Sequence, residues 1–66
     1  MQIQVNGEAF DASQCTSLSD LIDQLGLAGK RIAIELNMEI VPRSEHPTTA
    51  LKAGDQVEVV HAIGGG

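Results

Sequence analysis

The chain has one cysteine, Cys15, so no disulfide can form within it. Cys15, His46 and His61 show none of the paired spacings that mark zinc sites, and no metal centre is expected. Tryptophan and tyrosine are missing, and Phe10 is the lone aromatic residue. That removes the stacking platforms on which single-stranded nucleic acids are held. Positive charge is scarce too: four basic residues stand against nine acidic ones, a formal net charge of −5. Affinity for nucleic acid comes largely from Lys and Arg neutralising phosphates, so a nucleic-acid partner is not expected. The acidity instead favours solubility and steers the chain toward a basic protein surface. No apolar run approaches the roughly 20 residues that span a bilayer. Met1-Gln2-Ile3-Gln4 lacks the basic start of a signal peptide. The expectation is a cytoplasmic protein with a reduced thiol and no membrane association.

What is present is aliphatic. The 66 residues make one domain. A domain of that size buries only about 60% of the surface its unfolded chain exposes, so its stability is narrow. Without disulfide or metal, the core has to be built from the Ile, Val, Leu and Ala that make up nearly all of the 42% hydrophobic residues.

The order of periodicities predicts the fold. Met1, Ile3 and Val5 alternate with Gln2, Gln4 and Asn6, the period of a half-buried strand. Asn6-Gly7 is a strong hairpin signal, because both residues tolerate positive φ. Residues 8–12 then return as a second strand. Over residues 16–26 the period changes: Leu18, Leu21, Ile22 and Leu25 form one stripe of an amphipathic helix. Ser17 and Asp20 have the spacing of an N-terminal capping box, and Gly26 can take the left-handed position that ends a helix. So short a helix needs a sheet to pack on. Ile32, Ile34 and Leu36 alternate in a third strand, Asn37-Met38 turns, and Glu39-Ile40-Val41 makes a short fourth strand halted by Pro42. Pro42 and Pro47 bracket a loop or a single tight turn, Leu51 plugs the core, Gly54-Asp55 turns, and residues 56–62 form the last strand with Val57 and Val59 inward. If the first and last strands are central neighbours they run parallel, joined by a crossover containing the helix. The fold class is therefore α+β: a β-grasp, ubiquitin-like mixed sheet of four to five strands with one helix across one face. Residues 1–63 form the domain and 64–66 a flexible tail.

The tail is the most informative stretch. Ile63-Gly64-Gly65-Gly66 comes directly after the last strand. Glycine loses the most conformational freedom on folding, so three in a row add nothing to stability. One reading is a frayed terminus. The other is a slim probe that threads a narrow slot and offers the Gly66 carboxylate to another protein.

Three segments decide between them: Asn37-Met38-Glu39-Ile40-Val41-Pro42-Arg43, Gly54-Asp55-Gln56-Val57-Glu58-Val59-Val60, and the ending His61-Ala62-Ile63-Gly64-Gly65-Gly66. On these the whole chain resembles the sulfur carrier proteins of thiamine biosynthesis. The Ile-Val-Pro-Arg stretch and the ending are the specific parts. The resemblance implies a protein substrate with no catalytic residue and no bound cofactor. An E1-like adenylyltransferase, which uses ATP, joins AMP to the terminal carboxylate. A persulfide donor, a cysteine desulfurase or rhodanese-type protein, then allows conversion to a thiocarboxylate, and thiazole synthase takes the sulfur. Carried over by position, Gly66 is the modified residue, and Gly64 and Gly65 thread the partners' active sites. The chemistry is sound by itself. A carboxylate would have to expel oxide, whereas an adenylate expels a far better leaving group to a sulfur nucleophile. A bulky side chain beside the reacting carbon would clash with slot walls that keep water from the adenylate.

Individual residues carry lesser expectations. Nothing basic adjoins Cys15 to lower its pKa, so it is read as an ordinary small residue in a loop before the helix. His61 falls on the inner row with Val57 and Val59, for partner contact or structure rather than catalysis, since no second acid–base group is in register with it. His46 is read as solvated among polar loop residues, and Arg43 as a solvated charge or a salt bridge to an activating enzyme. Val60 faces outward beside Glu58. It is either an isolated exposed valine or, with Ala62 and Ala33, an apolar docking patch at the root of the tail. Competing functions are a molybdopterin synthase small-subunit type of carrier, a ubiquitin-like protein modifier, and an interaction module with an inert tail.

Overall fold

Both hairpins of the fold rest on two-residue turns with positive φ. In the computed structural model, which describes residues 1–61, β1 (Gln2–Val5) turns at Asn6 (φ 52) and Gly7 (φ 82) into β2 (Glu8–Asp11). Positive φ at both central residues is the turn whose twist matches that of paired strands. The resulting register sets Val5 opposite Glu8 and Ile3 opposite Phe10. β3 (Ile32–Leu36) and β4 (Glu39–Val41) repeat the device through Asn37 (φ 52) and Met38 (φ 72). Asn tolerates this region, but Met lacks both the freedom of glycine and a local hydrogen-bonding side chain.

Between the hairpins lies α1 (Leu18–Gln24), shorter than residues 16–26 but capped as expected. The Asp20 amide donates to Ser17 Oγ at 3.3 Å, and Asp20 Oδ2 accepts from the Ser17 amide at 3.2 Å. The same oxygen accepts from the Thr16 hydroxyl and amide, at 2.7 and 3.0 Å. These bonds, those from Thr16 foremost, hold the Asp20 carboxyl below its ordinary pKa. Gly26 lies just past the helix with φ 76, in the left-handed region that ends it.

β5 (Gln56–His61) completes a five-stranded sheet in the order β2-β1-β5-β3-β4. It runs parallel to β1 and antiparallel to β3. A parallel neighbour requires a crossover, and here α1 supplies it. The helix sets Leu18, Leu21 and Ile22 against Ile3, Ile34 and Val57, while Ala12, Cys15 and Leu51 close the margins. Each such aliphatic side chain, when fully buried, contributes roughly 1.5–3 kcal/mol against the entropy of ordering the chain. Leu51 is held in place because its amide donates to Thr16 O and the Leu18 amide donates to Thr49 O, both at 3.0 Å. The α+β, β-grasp expectation is therefore met, with five strands. Among the described residues no helix is long and apolar enough to cross a membrane.

Two local expectations need correction, and a third residue has a further role. The stretch after Pro42 is not a loop or one tight turn but a 3₁₀ helix, Arg43–Thr48, with Pro47 inside it. A 3₁₀ helix closes i to i+3 bonds, so the N–H that Pro47 lacks is the one that would reach the Ser44 carbonyl, and Ser44 is exposed. The helix turns His46 inward: the side chain is 6% exposed, not solvated. Its Nε2–H donates to the Val41 carbonyl at 3.1 Å. Finally, Asp55 is more than a turn residue. It is buried, with Oδ2 accepting the Lys52 amide at 2.7 Å and Oδ1 accepting Asn37 Nδ2 at 3.1 Å. Asn37 Oδ1 in turn accepts the Gln56 amide at 2.9 Å, pinning the start of β5 to the β3–β4 turn.

The strained turn makes a prediction. Met38 is 85% exposed and its side chain packs on nothing in the core. Replacing it with glycine relieves the positive-φ cost, and Met38→Gly is expected to raise stability by about 0.5–1 kcal/mol. Thermal unfolding checks this, with a midpoint several degrees higher than the parent expected, roughly in line with a domain this small.

Candidate functional site

β5 is the strand that leads to the terminal glycines, and its burial changes along its length. On the inner row Val57 is completely buried, Val59 is half-buried and His61 is exposed. His61 thus keeps the parity expected of it, opposite Ile32, but lies beyond the cover of the core. The outer row, Gln56, Glu58 and Val60, is exposed throughout. Strand alternation separates the two jobs of β5: one row holds the fold together, and the other faces outward.

The outer face brings together two of the three expected patch residues. Ala33 sits directly opposite Val60 across the β3–β5 ladder, and both are exposed, Val60 at 60%. Ala62 lies outside the described residues, as do Gly64, Gly65 and Gly66, so the expectations on them meet no geometry here. Next to this pair, Glu35 faces Glu58 in register. Like charges directly opposite on one face of a sheet destabilise it. On the other side of Glu35 comes Ile40, 74% exposed and paired with it across β3–β4. The face at this end of the sheet is therefore a carboxylate pair flanked by Ile40 on one side and by Val60 with Ala33 toward the chain end. A basic, partly apolar surface is its chemical complement.

Arg43 is exposed on the 3₁₀ helix and lines a shallow groove of about 280 Å³ with Asp23, His46 and Pro47, away from Val60 and Ala33. Among the described residues the one ion pair joins the Met1 ammonium to Asp11 at 3.7 Å. No group of three or more His, Cys, Asp or Glu among them could hold a metal.

Sequence reasoning missed two residues of this region. Ile40 belongs to a strand too short to show a period, so its outward direction came only from pairing with Glu35. Asn6 was visible as a turn former, yet it also acts at long range: its Oδ1 accepts the Val59 amide at 2.7 Å, and its own amide donates to Val57 O at 2.8 Å. The Asn-Gly signal accounts for the turn but carries no information about a partner 53 residues away.

Known proteins resemble this one over its full length. The model of the ThiS family matches residues 3–66. The sulfur carrier protein ThiS of Escherichia coli is 30% identical over 66 residues, covering all of both chains. The crystal structure of the thiamine biosynthesis protein (ThiS) from Geobacter metallireducens superposes with a TM-score of 0.85 at 30% identity, again covering all of both chains. A thiazole synthase of Magnetococcus marinus is 42% identical over the 66 residues. The chain spans about a fifth of the length of the thiazole synthases it matches.

Cys15, the single thiol, lies far from this face in character. It is buried in the core, with Sγ 3.1 Å from Gln24 Oε1. Burial first, then the nearby carboxylates of Asp20 and Asp11, push its pKa up. A raised pKa leaves less thiolate, the reactive form. Cys15 is thus expected to resist iodoacetamide in the native protein at pH 8 and to react quickly once the chain is unfolded in guanidinium, as followed by mass spectrometry.

Proposed function

The chain belongs to the ThiS family, and on that premise we propose that it is a sulfur carrier of thiamine biosynthesis whose Gly66 carboxylate is the carrying group. An E1-like adenylyltransferase spends ATP to join AMP to that carboxylate. The terminal sulfur of a persulfide donor displaces AMP to form an acyl disulfide. A thiol then cleaves its S–S bond, leaving as a disulfide with the donor's sulfur and releasing a thiocarboxylate, which a thiazole synthase consumes. The chain itself supplies no acid, base or metal to these steps. It is the substrate, and Gly64 and Gly65 are the thread that admits the terminal carbon into a narrow site.

The observation that carries this reading is the match of the family model through to residue 66, across the glycine ending. End-to-end similarity to a sulfur carrier protein ThiS supports it from the side of length. A stretch similar to this whole chain makes up 20% of a thiazole synthase, which supports thiazole synthase as the enzyme it serves. The outer face adds a physical reason. Val60 and Ala33 lie at the end of β5 from which the chain continues to Gly64, and the Glu35–Glu58 pair next to them suits a basic partner. Docking there lets the body bind while the tail reaches inward, and the acidic pair raises the encounter rate.

Incubation with the activating enzyme, ATP, a persulfide donor and a thiol reductant tests the chemistry. The chain should exchange pyrophosphate and finish with sulfur in place of oxygen at Gly66, read by mass spectrometry of the C-terminal peptide. Deletion of Gly66 should abolish exchange while leaving thermal unfolding nearly unchanged. Conjugates to lysine in place of the sulfur mass would make the chain a protein modifier and overturn the reading. On the docking face, Val60→Asp should weaken binding to the activating enzyme about tenfold or more, with a stability change within about 0.5 kcal/mol for a surface position. Titration calorimetry beside thermal unfolding checks this, and equal binding by the variant would remove Val60 from the interface.

A further inference from the structure

The two ladders of β5 are of unequal length. Toward β3 the pairing runs on to Ile32 opposite His61. Toward β1 it ends at Val5 opposite Val57, because the chain leaves β1 at the Asn6-Gly7 turn. The hydrogen-bonding direction of each residue is fixed by the register. The Asn37 amide donates to Gln56 O, which makes Leu36–Val57 a non-hydrogen-bonded antiparallel pair. By alternation Ile34–Val59 and Ile32–His61 are non-hydrogen-bonded pairs as well. The backbone N–H and C=O of Val57, Val59 and His61 therefore point away from β3, to the side where β1 has ended.

The first of these groups are satisfied. Val57 O accepts the Asn6 amide and the Val59 N–H donates to Asn6 Oδ1. The asparagine side chain thus stands in for one more residue of β1. Past it, among the described residues, no strand lies beside Val59 O, His61 N–H and His61 O, and no backbone bond engages them. Proteins commonly shield a free strand edge with charge, proline or a bulge, since it is a template for another strand. Val59-Val60-His61 has none of these, and only Ala62 and Ile63 separate it from Gly64.

We propose that this edge of β5, from Val59 O to His61 O, is a pairing site for an extended segment of the adenylyltransferase that activates Gly66, with the Asn6 side chain closing its inner end. The proposal rests on the carrier reading and adds to it how the tail is aligned. A strand added here is held by main-chain bonds. Its continuation runs beside the residues that lead to Gly66, so pairing at His61 sets the register of the segment from Ala62 onward. Main-chain recognition makes few demands on side chains, which suits a segment that ends in glycine. The Asn6 bond stops a partner strand from sliding inward and leaves a single register.

Proline separates this edge from the fold. His61→Pro removes an N–H that points away from β3, so the sheet should lose no bond, and Val60 before it is already in extended backbone. His61→Ala is the reference, since it loses the same ring but keeps the N–H. The KM for the chain in pyrophosphate exchange, with the activating enzyme and ATP, should be about tenfold higher for His61→Pro than for His61→Ala, the cost of a partner acceptor left unpaired. Their unfolding midpoints should agree closely. In the free chain the His61 amide should exchange with solvent much faster than that of Val59, and it should become protected when the activating enzyme is added. Equal KM values for the two variants, or a His61 amide as protected in the free chain as that of Val59, overturn the pairing site and leave the carrier reading standing. A parent chain that supports no exchange at all sinks the carrier reading, and the pairing site with it.

Discussion

The pairing of β5 between β1 and β3 is the interaction on which the rest depends. Without it the molecule divides into two hairpins, β1–β2 and β3–β4, and an isolated hairpin is marginal in water. β5 joins them by one parallel and one antiparallel ladder. The parallel one obliges the chain to cross over, and the crossover brings α1 onto the sheet. Leu18, Leu21 and Ile22 then meet Val57, Ile3 and Ile34 in the layer that excludes water. The same strand that closes the core also leads the chain toward its C-terminal glycines.

That double duty is resolved by parity and by position. Inner-row residues become more exposed from Val57 to His61, while the outer row is exposed from the start. Stability is concentrated at the beginning of β5, where Asp55 and Asn37 anchor it, and interaction surface at its end. The Glu35–Glu58 pair shows the two demands in conflict, since repulsion across a ladder does nothing for the fold. A carboxylate pair next to Val60 and Ala33 makes physical sense as a face shaped for a basic partner.

Much of this was legible in the residue order. Alternation in Met1-Gln2-Ile3-Gln4-Val5, the Asn6-Gly7 turn, the stripe Leu18, Leu21, Ile22 with its Ser17–Asp20 cap, and the halt at Pro42 each reflect a local rule, and each appears in the fold. That Val60 faces outward was legible from strand parity, but its place directly opposite Ala33 came from the β3–β5 register. His46 was misjudged because polar neighbours and flanking prolines look like a loop, and only the 3₁₀ helix brought its ring to the Val41 carbonyl. Asn6 and Asp55 were seen as turn formers alone, since a side chain's local role hides its distant one.

The sequence by itself determined the strands and α1, their order, the absence of a disulfide within the chain, and the run of glycines that follows β5, because these depend on neighbours a few residues apart and on composition. Tertiary structure alone decided that the β1 ladder stops short of the β3 ladder, that Glu35 confronts Glu58, and that Asn6 reaches Val59. Each depends on register between segments distant in the chain, and register is settled only when the inner faces of all five strands are buried together against the helix.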